Sequence, residues 1–562
     1  MAYLQQVVGQ KWTLFFRIYS IFAVLAYLTP LSSAFSVAAP SVSPSFPAIP
    51  DITKKAKTST TVLSSVMSNR VRSTATTLLS SSSSCEEVTQ LPVDESSQPK
   101  LPSRILETLD PCVVLMKELI GRYANLWEDK GGIFSLAQGV VYWDPPKSCQ
   151  EALQEEISKG FDTNLLHTYG PAQGIPELVT KLQEKIVNEN GLRNHDVMVT
   201  VGANQAYVNC VLTCLNEHSQ SIVFAPYYFN HVMAIQMCCN GDSSVVIGPC
   251  TDDGIPNLDW LERTLQQQSE QQQQQQQRSS NEKKKIDMVT IVNPGNPTGV
   301  SLSRGTLQRA VDICRQYNVW LVLDCTYEYF TLQEEDQPIP TFPNDPHVIH
   351  IFSFSKSYAL AGFRCGYVCL SKDAPSSLSS SSSTSPSASS QSSLLSNMLK
   401  VQDTLPICPP RISQIAALGA LNAGKDWVRE KFDTLQPSRD IIKDALSPLK
   451  GSIMGSSGAM YLMAHLPPPS TALPSSPNKK LKVNGSEPSS SSTSSVKEQI
   501  EECDDVEVCR RLVQEYGIAI IPGTYCGFPG WIRVCYANLP PDKCQEAAKR
   551  LKDGLTNILL DS

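Results

Sequence analysis

The stretch HIFSFSKSYALAGFRCGY, which runs from His350 to Tyr367, places a single lysine between two apolar segments. Lys356 has a serine on each side, and the next cation along the chain, Arg364, follows eight residues later. A lysine that only solvates a surface more often sits among other charges. Burial in apolar surroundings lowers the pKa of an amine and makes it a usable nucleophile. The stretch therefore predicts a buried strand that leads into a reactive lysine.

Short apolar strands alternate with helical segments on the N-terminal side of this stretch. The segments VMVTV, SIVFAP, IDMVTIVN and WLVLD have the composition of buried strands, and amphipathic patterns separate them. This alternation predicts the α/β class, with a large, mostly parallel sheet covered by helices on both faces. Ligands of such sheets bind at the carboxyl ends of the strands. The polar motifs of the chain follow the strands at that edge.

Globular composition begins near Leu101, and three low-complexity segments interrupt it. These segments lack the apolar residues that packing requires, so we expect exposed, mobile loops. The part of the chain after the third segment has the pattern of a smaller α+β domain. The predicted insertions are 266–285, 375–393 and 467–495. The predicted divisions are an N-terminal arm with part of the small domain (99–184), a large domain (185–420) and a small C-terminal domain (421–562).

The beginning of the chain has the composition of a targeting leader. Lys11 and Arg17 precede an apolar segment that is too short to span a bilayer comfortably, and small residues follow, as in a secretory signal peptide at 1–34. The Ser- and Thr-rich segment at 35–98 has the composition of a transit peptide and a linker. With Phe35 directly after the predicted cleavage site, this resembles the bipartite plastid-targeting leader of algae with secondary plastids. We expect plastid localisation, with plain secretion as the alternative, and no stable membrane association.

Charge and cysteine usage narrow the classes of partner. The formal net charge of −7 and the absence of a basic face or a DNA-binding motif argue against a nucleic-acid partner. The 18 cysteines are scattered, with no CxxC pair and no metal-ligand spacing, so buried thiols in a reducing compartment are predicted and a metal site is not. Small molecules are the expected partners.

Two strand ends carry motifs suited to a phosphorylated ligand. Gly202, Ala203 and Asn204 follow a strand and open a helix, where backbone amides favour an anion. The NPGNPTG turn holds Asn296 as a directional donor and acceptor, and it lacks the ending of a Walker loop. Taken alone, each motif could also be an ordinary turn.

A third and a fourth strand end complete the pattern. Asp324 ends an apolar strand and needs a partner there, with a helix cap or a salt bridge as the structural alternative, and Tyr327 follows it. Arg364 offers a fixed fork for a phosphate, with Ser353 and Ser355 as hydroxyl partners. An aldehyde-reactive lysine, a phosphate cradle, an acid for a ring nitrogen and donors for a ring hydroxyl are the needs of pyridoxal 5'-phosphate.

The order of six motifs, GAN, PYYFNH, NPGNPTG, DCTYEY, SFSKSYALAGFRCGY and WIRVCYA, resembles that of the class I and II aminotransferases of fold type I. The resemblance runs from about Leu101 to the C-terminus, apart from the insertions. The segments LAQGVVYWDPP, VTVGANQAY and QDTLPIC closely resemble plant aromatic aminotransferases that act on tryptophan, phenylalanine or methionine.

The resemblance implies roles around the cofactor ring. Lys356 would bond to the cofactor aldehyde and later move a proton, and Asp324, supported by His231, would pair with the ring nitrogen. Asn296 and Tyr327 would hydrogen-bond the phenolic oxygen. Lys356, Asp324 and Tyr327 are the expected catalytic residues.

The resemblance also implies a phosphate site and a substrate site. Tyr228 would stack on the ring, and Arg533 would clamp the substrate α-carboxylate beside Gly139 and Asn296. A homodimer is implied, because one subunit would contribute to the phosphate site of the other. The phosphate ligands implied are Gly202, Ala203, Asn204, Ser353, Ser355 and Arg364, with Tyr169 from the other subunit.

The implied reaction is a ping-pong transfer of an amino group between an aromatic or apolar L-amino acid (Trp, Phe, Tyr, Met) and a 2-oxo acid. Carbon-sulfur lyases and aminocyclopropane-carboxylate synthases share the scaffold and remain the alternatives among enzymes. A cofactor-binding regulator is the non-enzyme alternative. No clear second arginine is found for a side-chain carboxylate, and Tyr142, Trp143 and Tyr329 are candidates for an aromatic pocket, with the protein core as the other interpretation.

Overall fold

The seven-stranded sheet at the centre of the fold is seen in a computed structural model. The structure describes residues 99–160, 166–275, 284–332, 342–374, 393–455, 457–467 and 504–561. The strands are β1 (Phe134–Ser135), β2 (His195–Thr200), β3 (Ser219–Ala225), β4 (Val245–Pro249), β5 (Lys285–Val292), β6 (Trp320–Asp324), β7 (Val348–Ser353), β8 (Gly366–Ser371), β9 (Ile453–Gly455), β10 (Tyr461–His465), β11 (Ile518–Ala519), β12 (Ile521–Pro522) and β13 (Trp531–Cys535).

The helices connect these strands and cover the sheet. They are α1 (Ser103–Glu107), α2 (Cys112–Tyr123), α3 (Lys147–Ser158), α4 (Pro176–Asn188), α5 (Gly202–Cys214), α6 (Phe229–Cys238), α7 (Leu258–Gln275), α8 (Arg304–Gln316), α9 (Phe354–Ser357), α10 (Leu394–Thr404), α11 (Arg411–Asp433), α12 (Gln436–Ala445), α13 (Asp504–Tyr516) and α14 (Pro541–Asp561).

The central sheet has the strand order β2-β8-β7-β6-β5-β3-β4. Its neighbours pair in parallel except β8, which is antiparallel to both β7 and β2. Every residue of β7 and β8 is buried, because both faces of the sheet are covered, and this explains their nearly continuous apolar sequence. The predicted α/β fold with a large, mostly parallel sheet is confirmed.

A second, antiparallel sheet has the order β12-β13-β10-β9, and β1 pairs in parallel with β11. Helices α12 and α13 pack against the C-terminal helix α14. These elements form the smaller α+β part, and they belong to the same compact unit, 99–562, as the central sheet.

Two predicted boundaries fall inside helices. Residue 184 lies within α4, which packs on β2 of the central sheet through a buried apolar face that includes Leu178 and Leu182. Residue 420 lies within α11, four residues before Gly424, whose φ of 75° and ψ of 176° kink the helix. The buried apolar face of α4 continues across position 184, so that position does not separate two packed regions.

The predicted loop at 266–285 is wrong for its first ten residues. Helix α7 continues through Gln275, and Lys285 already belongs to β5. Glutamine is a good helix former, and α7 is held by buried Leu265 and by the Gln268 side chain. The Gln268 amide bonds both the N–H and the carbonyl of Ile286, at 2.6 and 3.2 Å.

Other predictions lie outside the described residues. They concern the leader at 1–98 and, apart from Ser393 and Pro467, the insertions at 375–393 and 467–495. Among the residues that the structure describes, no helix is long and apolar enough to cross a membrane, and no cluster of side chains could hold a metal ion. The described cysteines are free thiols, and most are buried.

Candidate active site

Lys356 stands where strand β7 passes into the short helix α9. The Ser353 hydroxyl caps this helix by accepting a hydrogen bond of 3.1 Å from the Ser355 N–H. The Lys356 side chain is partly buried, and its amine donates to the carbonyl of Gly139. Burial lowers the pKa of Lys356 to about 8, and the nearby Arg364 and Arg533 cations act in the same direction. The lysine is therefore held as an accessible base.

Asp324 ends the neighbouring strand β6 and is buried. The His231 Nε2 lies 3.2 Å from Asp324 Oδ2, and the Thr326 N–H and hydroxyl donate to Oδ1 at 3.0 and 2.6 Å. Burial raises the pKa of Asp324, but these hydrogen bonds outweigh it and hold the pKa below its ordinary value. The His231 ring is held in turn against Tyr207, with 4.0 Å between the ring centres.

An anion cradle forms where α5 begins. The guanidinium of Arg364 lies over Gly202 so closely that a Cβ there would stand 2.4 Å from its nitrogen. Gly202 also has a φ of +78°, which an L side chain rarely adopts. The N-terminal amides of α5, one cation and the Ser353 and Ser355 hydroxyls therefore border one space, as binding of a phosphate requires.

Arg533 reaches the cavity from strand β13 of the second sheet. Its side chain is buried, with hydrogen bonds of 3.0 Å to Asn296 Oδ1 and 2.6 Å to the Ala137 carbonyl. Its Nε has no hydrogen-bond partner among the described residues. A buried guanidinium with an unsatisfied N–H suits a carboxylate ligand.

Tyr461 is a site residue that the sequence analysis missed. Its hydroxyl shares a hydrogen bond of 2.6 Å with the Tyr327 hydroxyl, and its ring centre lies 4.6 Å from the guanidinium of Arg533. Tyr461 comes from β10 in the second sheet, where an apolar strand is typical of protein core. In the sequence GAMYLM, the only local signal of a site at Tyr461 was the glycine three residues before it, Gly458.

These residues line one cavity of about 260 Å3. Tyr228 is among them, with its hydroxyl 3.3 Å from Asn204 Oδ1. Two predicted residues are not among those that line the cavity: Gly202, which lies next to the Arg364 guanidinium, and Tyr169, which is 79% exposed. The predicted residues that the cavity brings together are Lys356, Asp324, Tyr327, Asn296, Ser353, Ser355, Arg364, Ala203, Asn204, Tyr228, Gly139 and Arg533.

Of the two interpretations of the aromatic residues Tyr142, Trp143 and Tyr329, pocket or protein core, the structure favours the core. The Trp143 ring stacks on Phe330 in the core, Tyr142 bonds the Thr434 hydroxyl, and Tyr329 donates to Glu189. None of the three aromatic residues is among the described residues that line the cavity. The cavity is lined instead by one face of α2, which no sequence motif indicates. The α2 residues that line it are Cys112, Val113, Met116, Lys117 and Ile120.

The cavity fits pyridoxal 5'-phosphate. The missing Cβ of Gly202 leaves room for the Arg364 guanidinium at the phosphate cradle, and Lys356 lies in the same cavity for an aldehyde. The anionic Asp324 suits a protonated ring nitrogen, and Asn296 and Tyr327 suit a ring hydroxyl. Each polar group of the cofactor therefore has a matching side chain.

Comparison with known proteins agrees with this geometry. The family model "Aminotransferase class I and II" matches residues 131–551. The aromatic aminotransferase ISS1 of Arabidopsis thaliana is 34% identical over 461 residues, which cover 82% of this chain and 97% of the relative. The aspartate aminotransferase of Rhizobium meliloti is 23% identical, over 76% of this chain and 90% of its own.

Solved structures share the fold. An aspartate aminotransferase of Thermus thermophilus with maleate has a TM-score of 0.60 at 21% identity, covering 81% of this chain and 100% of its own. An aromatic aminotransferase of Pyrococcus horikoshii has a TM-score of 0.57 at 21% identity, covering 79% and 100%. The chain therefore belongs to the class I and II aminotransferases, which are pyridoxal-phosphate-dependent enzymes of fold type I.

Proposed function

We propose that the protein moves an amino group between an aromatic or apolar L-amino acid (tryptophan, phenylalanine, tyrosine or methionine) and a 2-oxo acid, in a ping-pong reaction. The observation that carries the proposal is the apolar wall that Val113, Met116 and Ile120 of α2 contribute to the cavity of Lys356 and Arg533. An aromatic or apolar side chain gains free energy by leaving water against such a wall. The name of the Arabidopsis relative agrees with this substrate class.

Arg533 orients the substrate. Its guanidinium is already held by Asn296 and the Ala137 carbonyl, so little side-chain entropy is lost when it binds the α-carboxylate. A charge-assisted pair then holds the amino group in the cavity that Lys356 also lines.

Lys356 moves the proton. The bound cofactor supplies an electron sink that makes the substrate Cα–H acidic. The Lys356 amine, with a pKa of about 8, is close to the pH at which a general base works best. It would take the Cα proton and hold it on Nζ within the cavity until the proton is delivered to complete the amino-group transfer.

Asp324 supports this chemistry from the closed end of the cavity. Its carboxylate is kept ionised by His231 and Thr326, so it favours a protonated ring nitrogen. Tyr327, which shares a hydrogen bond with Tyr461, is placed to bond the ring hydroxyl. Together they hold the ring in the state that withdraws electrons.

The test of the proposed function uses the purified holoenzyme. Phenylalanine or methionine should abolish the absorption band of the bound cofactor, and a 2-oxo acid should restore it with release of the new amino acid. Release of pyruvate and ammonia without an acceptor would show a lyase instead. An unchanged spectrum with every amino acid would overturn the proposal and favour a regulator.

We also propose a homodimer in which Tyr169 of each subunit reaches the phosphate site of the other. The support is the exposure of this tyrosine beside Gly170, which lies on the Arg411 side chain at the start of α11. Mixing Lys356→Ala with Tyr169→Phe protein should restore part of the activity, since mixed dimers contain one site with both residues intact. No recovery, together with a monomeric mass, would contradict it.

We propose plastid localisation from the composition of 1–98, with secretion as the alternative. Fusing these residues to a fluorescent protein in an alga with secondary plastids tests it. Plastid fluorescence is expected, and fluorescence in the medium would contradict it.

A further inference from the structure

One face of α2 forms a wall of the active-site cavity and carries a single charge. Val113, Met116, Lys117 and Ile120 recur at the helical spacing i, i+3, i+4 and i+7, and all four line the cavity. The helix is fixed in this position because Cys112 packs in an apolar cluster with residues of the second sheet. Lys117 is therefore a cation within an otherwise apolar stripe.

The charges that line the cavity are unequal. Among the described lining residues there are four cations, Lys117, Lys356, Arg364 and Arg533, and one acid, Asp324. A monocarboxylic amino acid and a phosphorylated cofactor account for three of the cations. Lys356 meets the aldehyde, Arg364 the phosphate and Arg533 the α-carboxylate.

Lys117 has no such task. Lys117 is exposed to solvent and also lines the cavity, so it lies at the border between the cavity and solvent. Within the part of the chain that the structure describes, it makes no hydrogen bond or ion pair. Its neighbour Glu118 does not line the cavity. The amine is free to meet an anion that enters.

We propose that Lys117 binds the second carboxylate of a dicarboxylic 2-oxo acid, and so determines the specificity for the amino-group acceptor. Its long, flexible stem can lie against the apolar wall with the amine in water when an aromatic or apolar donor is bound. It turns to the ligand when a dicarboxylate is bound. One cavity thus serves two kinds of side chain without a second arginine. This inference rests on the proposed function.

The first experiment measures binding of unreactive probes to the holoenzyme. Glutarate and pentanoate have the same chain length and differ by one carboxylate. Lys117→Met should raise the Kd of glutarate about five-fold, the effect of one exposed ion pair, and should leave the Kd of pentanoate unchanged. Lys117→Arg should restore glutarate binding. Arg122→Met, which removes a cation of the same helix that does not line the cavity, should change neither.

The second experiment uses two acceptors, 2-oxoglutarate and its side-chain amide, 2-oxoglutaramate. Lys117→Met should raise the Michaelis constant for the dicarboxylic acceptor alone, with kcat and the rate of the phenylalanine half-reaction unchanged. The difference between the two acceptors should shrink at high salt, because screening weakens exposed ion pairs.

Equal effects of Lys117→Met on glutarate and pentanoate, or no effect on either, would overturn the role of Lys117. In both cases the phenylalanine half-reaction would continue, so the proposed function would stand. Loss of the half-reaction in the unmodified enzyme would instead refute the proposed function itself.

Discussion

Lys185 and Lys356 are two lysines shielded from water near the end of strand β7. The Lys185 amine lies 5.3 Å from the ring centre of Phe352, which is four residues before Lys356 on β7. Burial of an ammonium costs free energy in both places. The two sites differ in what surrounds the amine.

Lys185 has a full set of acceptors. Its amine lies 2.8 Å from Glu328 Oε2 and 3.0 Å from Asn190 Oδ1, and Asn190 also donates to Glu328 at 2.8 Å. The charge is neutralised and no ligand can approach it, since the lysine is only 7% exposed. The pair ties α4 to the segment that follows β6.

The Lys356 amine donates a hydrogen bond to one carbonyl, that of Gly139, and forms no ion pair among the described residues. Burial lowers its pKa, the Arg364 and Arg533 cations act in the same direction, and the opposing effects of Cys535 and Asp324 offset this only in part. Burial alone therefore does not mark a catalytic lysine. A catalytic lysine is marked by an amine that faces a cavity and has no ion-pair partner.

The largest expected effect comes from removing the uncompensated lysine. Lys356→Ala should lower kcat about 10⁴-fold or more, because both the covalent and the proton-transfer role are lost. The melting temperature should stay near that of the parent, since no buried partner is left unpaired. Steady-state turnover measured with phenylalanine and a 2-oxo acid checks this. Unchanged turnover would mean that another residue acts as the base.

Breaking the compensated pair should instead damage stability. Lys185→Met leaves the Glu328 carboxylate buried without its cation and should lower the free energy of unfolding by about 3–5 kcal/mol. Denaturant titration measures it. The double variant Lys185→Met, Glu328→Leu should recover most of the loss, because it removes both charges together.

An exposed pair is the matched control. The Lys552 amine lies 2.8 Å from Asp444, and the two side chains are 43% and 71% exposed. Lys552→Met should change the free energy of unfolding by less than about 1 kcal/mol. A similar loss in both lysine variants would contradict the distinction between the buried and exposed pairs.

The sequence was sufficient to predict the role of Lys356 but not the role of Lys185. The positions of Lys356, Asp324 and Arg364 near strand ends can be read from the local sequence. The alternation of strands and helices and the order of the motifs therefore predicted both the parallel sheet and the edge where ligands bind. The partners of Lys185 are distant in sequence, and so is Tyr461, which pairs with Tyr327 across 134 positions. Distant packing also decided that α2, and not Trp143, would line the cavity, because aromatic composition alone does not distinguish core from pocket.

His350 extends the comparison to a buried base that faces no cavity. Its ring is fully buried, and burial lowers its pKa to about 3, with His195 acting in the same direction and the backbone of Pro343 acting against it. Below pH ~6.5 the His350 side chain binds a proton in the unfolded chain but stays neutral in the folded one. The full stability is therefore present above pH ~6.5. That stability is lost as the pH falls from ~6.5 towards 3.

His350→Phe should therefore resist acid. At pH 5 the parent should have lost about 2 kcal/mol of stability relative to pH 7.5 that the variant keeps. Activity at neutral pH should not change, since His350 does not line the cavity. Denaturation curves at the two pH values give the difference. Parallel losses in both proteins would show that other groups cause the acid sensitivity.

The smallest expected effect separates two buried tyrosines in the same way. Tyr461→Phe removes the hydrogen bond to Tyr327 and should lower kcat/KM about five-fold, the value of one net hydrogen bond of ~1 kcal/mol. Tyr536→Phe removes a bond of 3.1 Å to the Ala459 carbonyl, outside the cavity. It should weaken folding by a similar free energy and leave kcat/KM unchanged. If both variants altered only stability, facing the cavity would not be what gives a buried polar group its role in catalysis.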